Sequence, residues 1–142
     1  MKIKVLLADD EEEFIETLAQ RLELRDLSVT TVYSGESAIA MAEKIDFDVI
    51  ILDILMPEVT GIDALKEIKK TKPLTPVLLL TGEATVENAI QGMKLGAFDF
   101  LMKPTDTELL IEKIAQANAL KQAHDERIRQ AEIENILKTR GW

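Results

Sequence analysis

Two short runs constrain this chain more than anything else in it. Val49-Ile50-Ile51-Leu52 and Val77-Leu78-Leu79-Leu80 are apolar at every position. A strand with one wet face alternates, so a run without alternation reads as a strand covered on both sides, as in the middle of a parallel sheet. Three further runs, Ile3–Ala8, Ser28–Val32 and Phe98–Met102, are also strand candidates. Segments of helical period separate them. Apolar residues fall at spacings of three and four in Phe14, Ile15, Leu18, Ala19 and Leu22, and again in Ala38, Ala42 and Ile45. Ile62, Leu65 and Ile68 form a third stripe, and Ala89, Ile90, Met93 and Ala97 a fourth. Ser34 and Thr60 read as helix N-caps, and Thr105-Asp106-Thr107-Glu108 as a capping box opening the last helix. Alternating strands and helices predict an α/β fold: a doubly wound, five-stranded parallel sheet with right-handed crossovers and five helices on its two faces.

The last helix is predicted to run from about Thr107 to Lys138, far longer than the sheet requires. We therefore expect a compact domain over residues 1–120 and a helical extension or linker over 121–142. The extension is rich in Lys, Arg, Glu and Ala, and Ile128, Ala131, Ile133, Ile136 and Leu137 do not form a clean heptad. It reads as a solvated extension, a partner-binding helix or a linker. His124 within it reads as a solvated residue, and terminal Trp142 as disordered.

Composition narrows the chemistry. The chain carries 17 basic and 26 acidic residues, a net charge of −9, which argues against direct nucleic-acid binding through a basic face. There is no Cys, so thiolate nucleophiles and zinc–sulfur sites are excluded, and a single His excludes a His-rich metal site. Met1 to Ala8 resembles the start of a signal peptide but runs into Asp9-Asp10-Glu11-Glu12-Glu13, which no secretory core tolerates. No apolar run approaches the roughly 20 residues of a membrane span. A cytoplasmic protein without membrane attachment is expected.

In an open α/β sheet, ligands bind beyond the carboxyl ends of the strands. The first predicted strand is followed by Asp9 and Asp10, the third by Asp53, the fourth by Thr81 and the fifth by Lys103-Pro104. Three carboxylates, a hydroxyl and an ammonium thus gather at one edge. Carboxylates so grouped need a cation among them, and a hard divalent ion with oxygen ligands suits Mg²⁺. A carboxylate can then attack phosphorus to give an aspartyl phosphate. Phosphoryl transfer is mostly positioning and charge neutralisation, which the cation, Lys103 and Thr81 would share over the three oxygens. Each residue also has a plainer reading: a strand-end charge for Lys103, a cap for Thr81, a loop residue for Asp53. Glu11, Glu12 and Glu13 read as a solvated helix start favoured by the macrodipole. For the five edge residues together, the plain readings would require independent coincidences.

These residues resemble the receiver domain of bacterial two-component response regulators. The matching pieces are Val5 to Glu11, Asp48 to Pro57, Gly61, Leu80-Thr81-Gly82 and Gly96 to Pro104, and the resemblance covers about residues 2–120. It implies the flavodoxin-like strand order 2-1-3-4-5, with Asp53 as phosphoacceptor. Asp9 and Asp10 would be the Mg²⁺-binding pair, Asp10 favoured as the direct ligand, with Asp53 and the backbone carbonyl of Leu55 completing the metal set. Thr81 would be the switch hydroxyl, Lys103 the phosphate-contacting cation and Phe100 the switch aromatic. Gly82 is small, leaving room at the acceptor. Thr105 stands where many relatives carry Phe after the Lys-Pro pair, and Phe100 lacks the hydroxyl of the Tyr often found there. Leu55 and Glu83 flank the acceptor and would tune the lifetime of the phosphate.

The resemblance further implies a sensor histidine kinase as donor. The chain would not be an enzyme in the ordinary sense, since it would catalyse only its own phosphorylation and dephosphorylation. Its output face would run from Ala84 to Phe100, on the fourth helix and fifth strand, and bind a downstream protein or output domain. A homodimer through that face or the last helix is the other partner expected. Two organisations fit, a stand-alone receiver or the amino-terminal piece of a longer regulator cut within a linker helix, and the long last helix favours the second. Two other functions compete. A phosphatase forming an aspartyl phosphate would carry a second acid two residues after the nucleophile, where Leu55 stands. A non-phosphorylated binding module would have no use for the intact set of five.

Overall fold

The computed structural model describes residues 1–82 and 85–139. Glu83, Ala84 and Trp142, named above, lie outside the described residues. The strands are β1 (Lys4–Ala8), β2 (Ser28–Val32), β3 (Val49–Asp53), β4 (Val77–Thr81) and β5 (Asp99–Met102). The helices are α1 (Glu12–Glu23), α2 (Gly35–Lys44), α3 (Gly61–Thr71), α4 (Val86–Lys94) and α5 (Thr107–Thr139). All strand pairs are parallel, in the order β2-β1-β3-β4-β5.

Every residue of β3 and β4 is buried, as their unbroken apolarity requires. Their side chains divide between two cores by the strand period of two. Ile50, Leu52, Val77 and Leu79 pack with Ala38 and Ala42 of α2, Leu65 of α3 and Ala89 of α4. Val49, Ile51, Leu78 and Leu80 pack with Ile15, Leu18 and Leu22 of α1 and with Leu110 and Ile114 of α5. The sheet therefore lies between α1 and α5 on one face and α2, α3 and α4 on the other.

Caps fix where helices begin. Ser34 accepts from the Ser37 N–H at 3.1 Å, and Thr60 and Asp63 form a reciprocal capping box. α5 begins at Thr107, as expected, but its cap differs. Asp106, not Thr105, accepts from the first turn, from the Glu108 N–H at 2.9 Å. Three apolar residues assigned to helix stripes also differ. Ile45 follows α2 in an extended conformation and is 38% exposed, while Ile90 and Met93 of α4 are 49% and 38% exposed. The seat of α4 is made instead by Ala89 and Gly92. A Cβ on Gly92 would lie 2.3 Å from Leu79 Cδ1, so glycine sets how closely α4 approaches β4.

Contact between α5 and the domain runs a turn past Leu120. Lys121 is buried and pairs with Asp125 at 3.1 Å and Asp46 at 3.5 Å, and Gln122 donates to Asp48 at 3.2 Å. Burial alone would lower the Lys121 ammonium, but its hydrogen bond to Asp125 and the charge of Asp46 hold it above the usual lysine range. From residue 126 to 139 every position is exposed. Among the described residues, no helix is long and apolar enough to cross a membrane.

Burial separates the core from the extension energetically. Ile51→Ala should lower unfolding free energy by about 2–5 kcal/mol in urea titration. Ile136→Ala, on the exposed part of α5, should stay within about 0.5 kcal/mol of wild type.

Candidate functional site

The sheet delivers side chains to its carboxyl edge through register. β1 and β3 run side by side, with Ala8 opposite Leu52, so Asp9 and Asp53 emerge at the same level. Asp53 and Thr81 are the last residues of their strands: Asp53 is in register with Leu80, and Thr81 with Met102. The Lys103 N–H donates to the Thr81 carbonyl at 2.7 Å, which carries the lysine back over the same edge. Behind Asp53 the chain turns tightly, and Gly61 opens α3 directly against it. A Cβ at Gly61 would lie 2.3 Å from the Asp53 carbonyl oxygen, so only glycine permits this approach.

Carboxylate oxygens of Asp9, Asp10 and Asp53 lie within 4.8 Å of one another. Asp9 and Asp53 are buried, whereas Asp10 is exposed. Lys103 Nζ sits among them, 2.9 Å from Asp9 Oδ2 and 3.5 Å from Asp53 Oδ1. It also stands 4.5 Å over the ring of Phe14, an additional favourable position for a cation. Burial, and then the charge of Asp9, push the Asp53 carboxyl up to about 7 despite the opposing pull of Lys103. Burial alone would lower the Lys103 ammonium, but hydrogen bonds to Glu11 and Asp9 and the charge of Asp53 hold it above the usual lysine range.

The donor set is all hard oxygen, and its one close ammonium leaves the carboxylates under-neutralised. That is the chemistry a Mg²⁺ ion with retained waters satisfies, and the residues fit it. The adjoining cleft is about 370 Å³ and is lined by Glu11, Leu55, Gly82, Thr85 and Pro104 besides Asp53 and Lys103. The Leu55 side chain is 68% exposed at its rim, and a Cβ on Gly82 would meet nothing within 4 Å. A larger cleft of about 610 Å³ lies at the opposite end of the sheet, beside Lys121, Asp46 and Asp48, away from these groups.

Three placements were not legible beforehand. Glu11 does more than begin a solvated helix: its carboxylate holds Lys103 Nζ at 2.7 Å, a pairing across 92 positions that local pattern does not reveal. The Thr81 hydroxyl, although buried at the edge, is bonded to the Gly82 carbonyl at 3.0 Å and to Thr85 rather than to Asp53. Thr85, not singled out in the sequence and falling only within the stretch expected to form the output face, is itself buried. Phe100 lies opposite Leu79 and packs, half-buried, against the core on the α4 face.

A family model described as "Response regulator receiver domain" matches residues 5–115. The transcriptional regulatory protein ZraR of Salmonella typhimurium is 37% identical over 118 residues, covering 83% of this chain and 27% of that protein. The regulatory protein AtoC of Escherichia coli is 34% identical over 121 residues, 83% of this chain and 26% of that protein. The chain thus spans about a quarter of the length of these relatives. A crystal structure of a response regulator receiver domain protein from Clostridium thermocellum superposes with a TM-score of 0.83 at 35% identity, covering 85% of this chain and 98% of that one.

The raised Asp53 carboxyl predicts a pH-dependent stability. A folded-state value near 7, above the ordinary 3.8, gives stability that is full below pH 4 and is lost as pH rises towards 7. Asp53→Asn carries no charge to bury. In chelator, the variant should exceed wild type by on the order of 2–4 kcal/mol at pH 8 and by little at pH 4, read by urea unfolding. Saturating Mg²⁺ should shrink the difference by stabilising wild type.

Proposed function

The chain belongs to the response regulator receiver domain family of two-component signalling, and from that premise we propose that Asp53 is its phosphoacceptor. The observation that carries this reading is the buried Asp53 carboxylate, grouped with Asp9 and Asp10 and faced by Lys103 at 3.5 Å. Asp9, Asp10, Asp53 and the Leu55 backbone carbonyl would hold Mg²⁺, which when bound neutralises charge on the phosphoryl oxygens.

Phosphoryl transfer from the phosphohistidine of a sensor kinase forms a bond between an Asp53 carboxylate oxygen and phosphorus. The donor's phosphorus–nitrogen bond breaks, and the histidine leaves with its electron pair. Lys103 leaves Glu11 to contact the new phosphoryl group, and Thr81 turns its hydroxyl toward it, each forming a charge-assisted hydrogen bond. Such a bond contributes about 1.5–3 kcal/mol, enough to shift a two-state surface by tenfold or more. Phe100 then repacks beside α4. The chain promotes only its own phosphorylation and dephosphorylation.

The output face comprises α4 and β5. Its support is the group of apolar side chains left in solvent there: Ile90, Met93, Leu95 and Met102, each more than a third exposed. A downstream protein or output domain would cover them, and the names of the relatives suggest transcriptional control as its class. The receiver unit would end near residue 120, just before Lys121 makes its ion pair with Asp46 at 3.5 Å, with the remainder of α5 as the extension.

Incubation with acetyl phosphate and Mg²⁺ should add a single phosphoryl mass to the intact wild-type protein. The adduct should be absent in chelator and absent in Asp53→Asn. A wild type that takes no phosphoryl group and binds no beryllofluoride would overturn the phosphoacceptor reading and leave a binding module.

A further inference from the structure

Of the three hydroxyl residues that stand just before a helix, Ser34, Thr60 and Thr85, two cap that helix and one does not. Ser34 and Thr60 have extended backbones and accept from their own first turns. Thr85 precedes α4 with φ −117° and ψ 13°, and makes no side-chain cap among the described residues. Its hydroxyl turns back along the chain. It accepts from the Gly82 N–H at 3.1 Å, bonds the Gly82 carbonyl at 3.0 Å and shares a hydrogen bond with the Thr81 hydroxyl. Thr81 and Thr85 are only 0% and 4% exposed, so water does not compete for these groups.

Each hydroxyl has one proton. Between the two there are two protons, shared among Thr81 Oγ1, Thr85 Oγ1 and the Gly82 carbonyl. Both could be donated to the Gly82 carbonyl, but that would set two hydroxyl oxygens against each other with no proton between them, so the arrangements that satisfy the contact place one proton between the hydroxyls. Thr81 cannot turn toward Asp53 without breaking its bond to Thr85, and the loss of that net hydrogen bond in a buried site opposes the turn.

We propose that Thr85 is a positioning residue that latches the Thr81 hydroxyl away from Asp53 in the unmodified protein and so sets how readily the switch is thrown. This rests on the reading of Thr81 as the switch hydroxyl. Removing the latch frees Thr81 to meet an incoming phosphoryl group, whose developing charge the hydroxyl stabilises. The factor is that of a net hydrogen bond, roughly two- to tenfold in rate.

The test compares wild type, Thr85→Val and Thr85→Ser by intact mass after timed exposure to acetyl phosphate and Mg²⁺, each also in a Thr81→Ala background. Val keeps the shape and removes the hydroxyl, whereas Ser keeps the hydroxyl. Thr85→Val should phosphorylate two- to tenfold faster and Thr85→Ser at the wild-type rate. The gain should vanish in Thr81→Ala, as a double-mutant cycle requires if Thr85 acts through Thr81. The Thr81 methyl resonance, read by NMR without any phosphodonor, should move in Thr85→Val and stay in place in Thr85→Ser. A Thr85→Val rate equal to wild type, an unmoved methyl, or a gain that persists without the Thr81 hydroxyl would overturn the latch. A merely structural role for Thr85, such as pairing the Gly82 N–H, would lower stability in both backgrounds alike. Should wild type itself take no phosphoryl group, the phosphoacceptor reading fails, and the methyl resonance alone decides the latch.

Discussion

The repulsion among Asp9, Asp10 and Asp53 is the constraint around which the rest of this molecule is arranged. Three carboxylates within 4.8 Å, two of them buried, destabilise any chain that gathers them without a cation. Among the described residues, Lys103 is the one ammonium paired with Asp53, and Asp53 remains hard to ionise. That deficit is tolerable because the groups sit on the ends of strands whose interiors are buried on both faces. β3 and β4 contribute fully covered strands of five residues each, and that core holds Asp53 at the edge beside Asp9. A cluster of carboxylates held together against its own electrostatic preference, by packing, is one that a divalent ion would relieve.

The same logic explains which parts of the molecule were legible in the sequence. Unbroken apolarity in 49–52 and 77–80 can be satisfied only between two helical layers, so strand type, layer number and the edge carrying Asp9, Asp53, Thr81 and Lys103 followed from pattern. Positions whose fate depends on how closely two elements approach did not follow. Ile90 and Met93 fit a helical stripe, yet Gly92 brings α4 so near Leu79 that the small residues form the seat and the large ones face solvent. Ile45 fits its stripe but falls after α2 has ended. Thr105 fits a capping box, yet Asp106 is the residue that accepts from the Glu108 N–H, while the helix begins at Thr107 as its pattern indicates.

Pairings distant in sequence were equally hidden. Glu11 looks like one of three interchangeable acids beside a helix start, and only the arrival of Lys103 from the far end of the domain distinguishes it. Lys121 looks like the first residue of a polar extension, and only the loop carrying Asp46 makes it buried. A hydrogen bond such as that between Thr81 and Thr85 is close in sequence, but Thr before a helix ordinarily means a cap, and the cap is the bond it does not make.

These departures from simple pattern concentrate on one side of the molecule. α1, α2 and α3 bury branched or small apolar stripes, and two of them start with satisfied caps; α4 has nine residues, a glycine in its interior and no side-chain cap. Its short length, interior glycine and lack of a side-chain cap leave α4 little stability of its own. Its first turn is tied to Thr81 through Thr85, and its packed face looks onto Leu79, the register neighbour of Phe100. An element so held responds to small changes in its few ties, whereas one fixed by a large apolar stripe does not. The carboxylate cluster at Asp53 and the exposed apolar side chains of α4 are therefore joined through a short helix with few ties, which can shift without unfolding the sheet that carries it.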